Sequence, residues 1–245
     1  MPAYTVRYLY HSSFLLETAS HYLIFDYYRN SPHGRGLNSG VIDPAALTGK
    51  PVLVFASHSH GDHYDPVIFR WRGQLPGIQY ILSSDIAAPA AADTHFIGPD
   101  ASLRVGGAAV RTLPSTDLGV AFVIEVDGLR IYHAGDLNWW HWEGEPDSDN
   151  RDMARAYCAQ IDRLQGEHFD VAFVPLDPRL GRLGYLLGLD YFATHTDAAV
   201  IFPMHFGSDR RVFDWLAQDR RADDYRPRVA RIEHRGQQFS GPLSR

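Results

Sequence analysis

Three imidazoles and one carboxylate fall within six positions, His58-Ser59-His60-Gly61-Asp62-His63. Side chains alternate along an extended segment, so His58 and His60 point to one side. Gly61 permits a tight turn, which lets Asp62 and His63 swing back toward the same volume. Four such donors suit a divalent cation: Zn²⁺, or Fe²⁺ and Mn²⁺ where more oxygens join. A solvated His-rich loop is the bland alternative. Against it, an apolar run from Val52 to Phe55 feeds the motif and Asp65-Pro66 closes it. One or two cations there lower the pKa of bound water to about 7 and polarise a carbonyl or phosphoryl oxygen. Asp62, beside that water, orients it and carries its proton. No protein nucleophile competes, because Cys158 stands apart from every motif and no Gly-x-Ser-x-Gly elbow occurs.

The elements that must carry these groups read as follows. Residues 3–25 form short antiparallel strands, the last ending at Asp26. Residues 29–40, rich in Gly, Ser, Asn and Pro, are a loop that connects or covers a pocket. Val52–Phe55 is a strand, and Asp65-Pro66 starts a short helix to about Trp71. Tyr80–Leu82 is a buried strand, 85–92 a small-residue helix, and 103–113 a meander around Gly106-Gly107. Val120–Val126, Asp127-Gly128 and Leu129–Tyr132 make a hairpin that runs into His133-Ala134-Gly135-Asp136. An acidic loop, 143–150, precedes an amphipathic helix over 151–165, stopped at Gly166. A strand over 171–175 ends near Asp177, 186–198 is helical, and Val200–Met204 ends at His205. A helix over 209–217 and a last short strand within 226–240 follow. Sheets covered by helices on their outer faces account for this order.

Composition narrows the function. The 245 residues are 45% hydrophobic and 21% charged, enough for one domain over 1–245 with a sizeable core. A net charge of −6 gives no general nucleic-acid footprint. The single cysteine rules out an intrachain disulfide and a Cys-based zinc site, which suits a reducing cytosol. No signal peptide and no membrane-spanning run is evident. A cytoplasmic protein with a small-molecule substrate, no nucleic acid and no membrane is expected.

The ordered motifs resemble the metallo-β-lactamase superfamily. Its H-x-H-x-D-H signature stands at His58 to His63, its early aspartate at Asp26, its bridging aspartate at Asp136 and its last histidine at His205. Within it the chain resembles the compact hydrolases related to ascorbate-6-phosphate lactonase, which often begin with a similar His-Ser-Ser-Phe element, here His11 to Phe14. The resemblance implies an α/β fold, an αββα four-layer sandwich, with a dinuclear site at one edge. One metal would take Asp62, His63, Asp136 and His205. The other would take His58, His60 and Asp136 plus a third histidine. That third histidine is missing: 113–119 reads Leu-Pro-Ser-Thr-Asp-Leu-Gly. Asp117 is the substitute, with Ser115, a vacant position, or a distant His95 or His141 as alternatives. A carboxylate in place of an imidazole would favour Mn²⁺ or Fe²⁺ over the Zn²⁺ otherwise expected.

Other residues have two readings each. Asp26 orients ligands by hydrogen bonding, His133 is support or packing, and His11 lines the pocket or packs in the core. Trp139-Trp140-His141-Trp142 puts at least one ring at the site, with His141 as a proton donor to a leaving group. Arg179 and Arg182 clamp a substrate anion or lie on a surface loop. The favoured function is a metal-dependent hydrolase of a small ester, lactone, amide or phosphodiester. The alternatives are a nuclease of the same superfamily, a metal-binding scaffold without catalysis, and redox chemistry at a di-iron site.

Overall fold

Strand residues that alternate between two apolar environments build the first sheet. In Val52–Ala56, Leu53 and Phe55 face one cluster while Val52, Val54 and Ala56 face another. A strand buried on both faces reads as a continuous apolar run, as this one does. In a computed structural model describing residues 3–29 and 34–241, this strand is the fourth of seven. The others are β1 (Tyr4–Tyr10), β2 (Ser13–Glu17), β3 (Tyr22–Phe25), β5 (Gln79–Ser83), β6 (Thr94–Ile97) and β15 (Gln238–Gly241), with β4 as Val52–Ala56. Their order is β15-β1-β2-β3-β4-β5-β6. The first three strands pair antiparallel, and β3 to β6 run parallel.

The second sheet has β7 (Ser102–Val105), β8 (Ala108–Pro114), β9 (Val120–Val126), β10 (Leu129–His133), β12 (Val171–Pro175) and β14 (Ile201–Met204), in the order β14-β12-β10-β9-β8-β7. The Asp127-Gly128 turn has positive φ at both residues, 50° and 75°, the geometry a two-residue hairpin demands. A small two-stranded sheet joins β11 (His168–Phe169) to β13 (Asp197–Ala198).

The sheets pack face to face through aromatic rings. Phe173 of β12 lies 4.5 Å from Phe14 and 5.3 Å from Phe25, and Phe55 lies 5.4 Å from Phe122, between ring centroids. Helix α3 (Leu187–His195) covers the far side of the second sheet, where Phe192 stacks on Tyr132, and it packs on α1 (Asp147–Ile161). Helices α2 (Gly181–Gly184) and α4 (Arg211–Gln218) complete the α-helical set among the described residues. The outer layer on the first sheet is different in kind. It is made of 3₁₀ turns at Pro44–Ala46 and Pro66–Trp71, which press Ile68 and Trp71 onto that face. The α/β layering is thus an αββα sandwich in which one helical layer is reduced to short 3₁₀ segments.

The expected strands are present, and four local expectations change. The helix expected over 186–198 stops at His195, and Asp197–Ala198 form β13 instead. Residues 85–92 do not form a helix: Pro89 cannot donate to a helical ladder, and the Asp85 carboxylate instead accepts from the Ser59 N–H at 2.8 Å. Strand β6 follows, which periodicity did not mark. Helix α1 begins at Asp147, inside the supposed acidic loop. Asp147 and Asp149 occupy its first turn, where carboxylates interact favourably with the helix dipole. Residues 30–33 of the 29–40 loop lie outside the described residues.

Candidate metal centre

Parallel strands end on one edge, and the chemistry collects there. Asp26 follows β3, the 58–63 loop follows β4, Asp136 follows β10, Asp177 follows β12 and His205 follows β14. His11 sits in the turn between β1 and β2. His11, Asp26 and His205 all have positive φ, 54°, 44° and 67°, a region costly for non-glycine residues. Such outliers persist only where the surroundings over-determine them, and they gather at functional sites. Two glycines allow the loops to close. A Cβ on Gly119 would stand 2.0 Å from the Ser57 carbonyl oxygen, and one on Gly135 would stand 2.7 Å from the Ser57 Cβ.

Two sets of potential ligand atoms result, each within 4.8 Å of one another: His11, Asp62, His63 and His205 in one, His58, His60 and Asp136 in the other. Asp136 lies between them. Its Oδ1 is 3.2 Å from His63 Nε2 and 3.3 Å from His205 Nε2, while its Oδ2 is 3.5 Å from His58 Nε2. Of the thirteen buried side-chain atoms without a hydrogen-bond partner among the described residues, five cluster here: Nε2 of His11, His58, His63 and His205, and Oδ1 of Asp136. Buried polar atoms are rarely left so, and these are the types a divalent cation takes. The residues therefore fit a metal.

Supporting contacts set which nitrogen faces inward. Asp26, fully buried, accepts from the Ser57 N–H, the Ser57 hydroxyl and His63 Nδ1, each at 2.7 Å. The Ser57 hydroxyl, its proton spent on Asp26, accepts from His58 Nδ1 at 3.0 Å. Asp177 accepts from His205 Nδ1 at 3.0 Å. Each imidazole thus keeps a lone pair on Nε2 for the centre, the usual way carboxylates orient ligating histidines. All three contacts to Asp26 are donated to it, so the amide of Asp26→Asn must turn an N–H toward a donor. This substitution is expected to weaken metal affinity about 10- to 100-fold, measured by competition with a chelator. Unchanged affinity would show that Asp26 does not orient the ligands.

The electrostatics favour positive charge at this spot. Burial alone would lower His205, but the Asp136 and Asp177 carboxylates push it up to about 9. Burial would likewise lower His63, and Asp136 and Asp26 outweigh it to raise it. Burial would raise Asp136, yet the imidazoles of His63 and His205 hold its carboxyl well below the usual range. Asp62 is held down as well, first through its contact with His11, whose Nε2 is 3.5 Å away. Burial lowers His58 and His11, favouring their neutral, ligating forms.

A cleft of about 340 Å³ opens on the centre, lined by His60, Asp62, Thr116, Asp117, Asp136, Trp140, Trp142, Met153, Arg179 and His205. Larger concavities elsewhere on the surface hold none of these groups. Asp117 reaches the cleft, half exposed, with Oδ2 3.7 Å from His60 Nδ1, but it stands outside the tight group of His58, His60 and Asp136. His141 does not line the cleft, which corrects the expectation of a proton donor there. The rings that do face it are Trp140 and Trp142. The Trp140 indole N–H donates to the Asp136 carbonyl at 3.0 Å, and Asn150 of α1 clamps both backbone groups of Trp142 at 3.0 Å. His95 bonds Gln79 on the first sheet instead. His133 is buried against Phe25 and bonded to the Ser12 carbonyl, a supporting role as expected. Arg182 turns away over Trp215, whereas Arg179 lines the cleft. Asp177 and Ser57 were missed as supports. Asp177 carried the same signal as Asp26 and Asp136, an acid just past the end of an apolar strand.

Residues 5–141 match the family model described as a beta-lactamase superfamily domain. A UPF0173 metal-dependent hydrolase of Opitutus terrae is 32% identical over 237 residues, covering 84% of this chain and 86% of the relative. The chain belongs to the beta-lactamase superfamily and, within it, to the UPF0173 metal-dependent hydrolases. Two solved structures share the fold. Igni18, a metallo hydrolase of Ignicoccus hospitalis, superposes with a TM-score of 0.64 at 15% identity, covering 99% of this chain and all 100% of that one. CmlA, a diiron beta-hydroxylase of Streptomyces venezuelae, gives 0.62 at 13% identity, covering 97% of this chain and 53% of that one. At these identities the likeness speaks to fold alone. No helix among the described residues is long and apolar enough to cross a membrane.

Proposed function

We propose that this chain hydrolyses a small ester, lactone, amide or phosphodiester at a centre of two divalent cations. His11, Asp62, His63 and His205 would hold one, and His58 and His60 the other, with Asp136 between them. Asp117 would complete the second set on the side of His60. Zn²⁺ suits the first set, three imidazoles and a carboxylate. The extra carboxylate in the second admits Mn²⁺ or Fe²⁺. The observation that carries the reading is the convergence of five buried, unpartnered ligand atoms around Asp136, beside a cleft that Asp136 and His205 line.

Such a cation supplies a Lewis acid and a water acidic enough to be deprotonated near pH 7. The chain's own groups do the rest. Asp62 is half exposed at the cleft, positioned to accept a proton on its carboxylate and pass it outward. The Trp140 and Trp142 rings exclude water from one wall. Asp26 and Asp177 keep the imidazoles from rotating, so the reacting geometry is preset rather than gathered at each turnover. The acidic lining and the net charge of −6 support a small substrate over RNA.

The test is a panel of ester, lactone, amide and phosphodiester substrates, with metal content measured in parallel. Turnover of at least one class should disappear on chelation and return with Zn²⁺ or Mn²⁺. A fully loaded protein inert across the panel would point to a binding scaffold instead. Cleavage of RNA that weakens steeply with salt would point to a nuclease.

A further inference from the structure

We propose that Arg179 is an anion anchor, and that the substrate of this site carries a carboxylate or phosphate apart from its scissile bond. The inference rests on the hydrolase reading and adds the substrate class. Of the ten residues lining the cleft, Arg179 alone bears a permanent positive charge. Its guanidinium is fixed from behind. Asp177, whose side chain is 1% exposed, accepts from the Arg179 backbone N–H at 2.8 Å, from Nε at 2.9 Å and from Nη2 at 2.6 Å. The Trp142 ring lies 5.8 Å from the guanidinium carbon and restrains its plane further. Meanwhile the Arg179 side chain remains 59% exposed, and Nη1 takes no part in these contacts. A buried carboxylate therefore presents a rigid guanidinium to the cleft with one edge free. Planar, preset donors of this kind suit an oxyanion better than a mobile lysine does.

The same Asp177 also orients His205, so the anchor and the candidate centre share one support. That ties the distance between anchored anion and reacting bond to the frame of the fold. Trp140 and Trp142 lie nearly parallel, 8° apart with centroids at 6.2 Å, and Met153 of α1 joins them in the lining. An apolar linker between the anion and the scissile group would lie along that wall. The cleft, about 340 Å³, is at the low end of small-molecule pockets and fits a compact substrate. Three carboxylates, Asp62, Asp117 and Asp136, share the lining. They repel an anion unless bound cations offset them, so the anchor acts only in the metal-loaded protein.

The test compares neutral and anionic partners of one shape on metal-loaded protein. Phenyl acetate, 4-acetoxybenzoate and 4-acetoxyphenyl phosphate serve as substrates. Binding of 4-hydroxybenzamide, 4-hydroxybenzoate and 4-hydroxyphenyl phosphate is measured by calorimetry, independently of turnover. The wild type is expected to favour at least one anion by about 10- to 100-fold in affinity and KM. The stronger of the two anions identifies carboxylate or phosphate. Arg179→Met should erase the preference and Arg179→Lys restore part of it. Equal or undetectable binding of neutral and anionic probes overturns the anchor while leaving hydrolysis to be judged by turnover. A preference that survives in Arg179→Met also overturns it, since the cations alone would then account for anion binding. An anion preference without turnover of any substrate overturns the hydrolase reading and keeps the anchor.

Discussion

Asp136→Ala is expected to empty the centre and abolish hydrolysis. Asp136 is the one side chain whose two oxygens address both ligand sets, with Oδ1 toward His63 and His205 and Oδ2 toward His58. Its removal leaves each set short of a donor and takes away the negative charge that favours cations there. Metal content should fall from near two ions per chain to below one. Turnover should fall by roughly 10³-fold or more, on the order of 4 kcal/mol of transition-state stabilisation. The loop itself should survive, because the Trp140 indole bonds the Asp136 backbone carbonyl, which the substitution leaves in place. A folded variant with full metal content and turnover within tenfold of wild type would remove Asp136 from the centre.

Phe173→Ala is expected to cause the largest loss of stability. The ring is fully buried where the two sheets meet. It touches Phe14, Phe25, His133 and Phe202, at centroid distances of 4.5, 5.3, 5.6 and 5.6 Å. A well-packed aromatic truncated to alanine costs about 3–5 kcal/mol, because the neighbours relax only partly into the cavity. For a chain of this length that lowers the melting temperature by roughly 6–20 °C. The comparison must be made at one metal content, since a bound ion stabilises the folded state by mass action. Phe173→Leu should lose much less, as the replacement keeps most of the volume. A loss below about 1 kcal/mol for the alanine variant would mean that the sheets do not meet through this ring. The cavity also borders the centre. Phe25 stacks on His133 and is followed directly by Asp26, so a modest loss of metal affinity should accompany the change in stability.

Much of this was legible along the chain because the information is local. Spacing within 58–63 follows from alternation and one glycine, and apolar runs ending in Asp or His mark strands that deliver side chains to an edge. Asp26, Asp136 and His205 were found that way, and the structure brings all of them to the 58–63 loop. Alternation also marked most strands. It failed at β6, whose short edge segment Thr94–Ile97 is only partly buried and so shows no clean pattern. Helix α1 starts ahead of its apolar stripe because its first turn is held by charge and by the Asn150 contact with Trp142. Small residues in 85–92 suit a helix, but Asp85 is engaged instead with the Ser59 backbone.

The sequence by itself determined the class of chemistry, the strand ends that carry its side chains and most of the candidate ligand residues, since each depends on neighbours a few residues apart. Only the tertiary structure decided what depends on parts of the chain far apart in sequence. It brought His11 of the first turn against His205, with ring centroids 4.2 Å apart. It set Asp177 behind His205 and stood Arg179 on that carboxylate. It turned Trp140 and Trp142 toward the cleft in preference to His141, because no periodicity governs side-chain direction in an irregular loop. It also placed Asp117 beside His60 yet outside the tight group, where a third histidine was expected. The physical reason is common to all four: residue type and spacing limit which atoms can bind, but the packing of two sheets decides where those atoms meet.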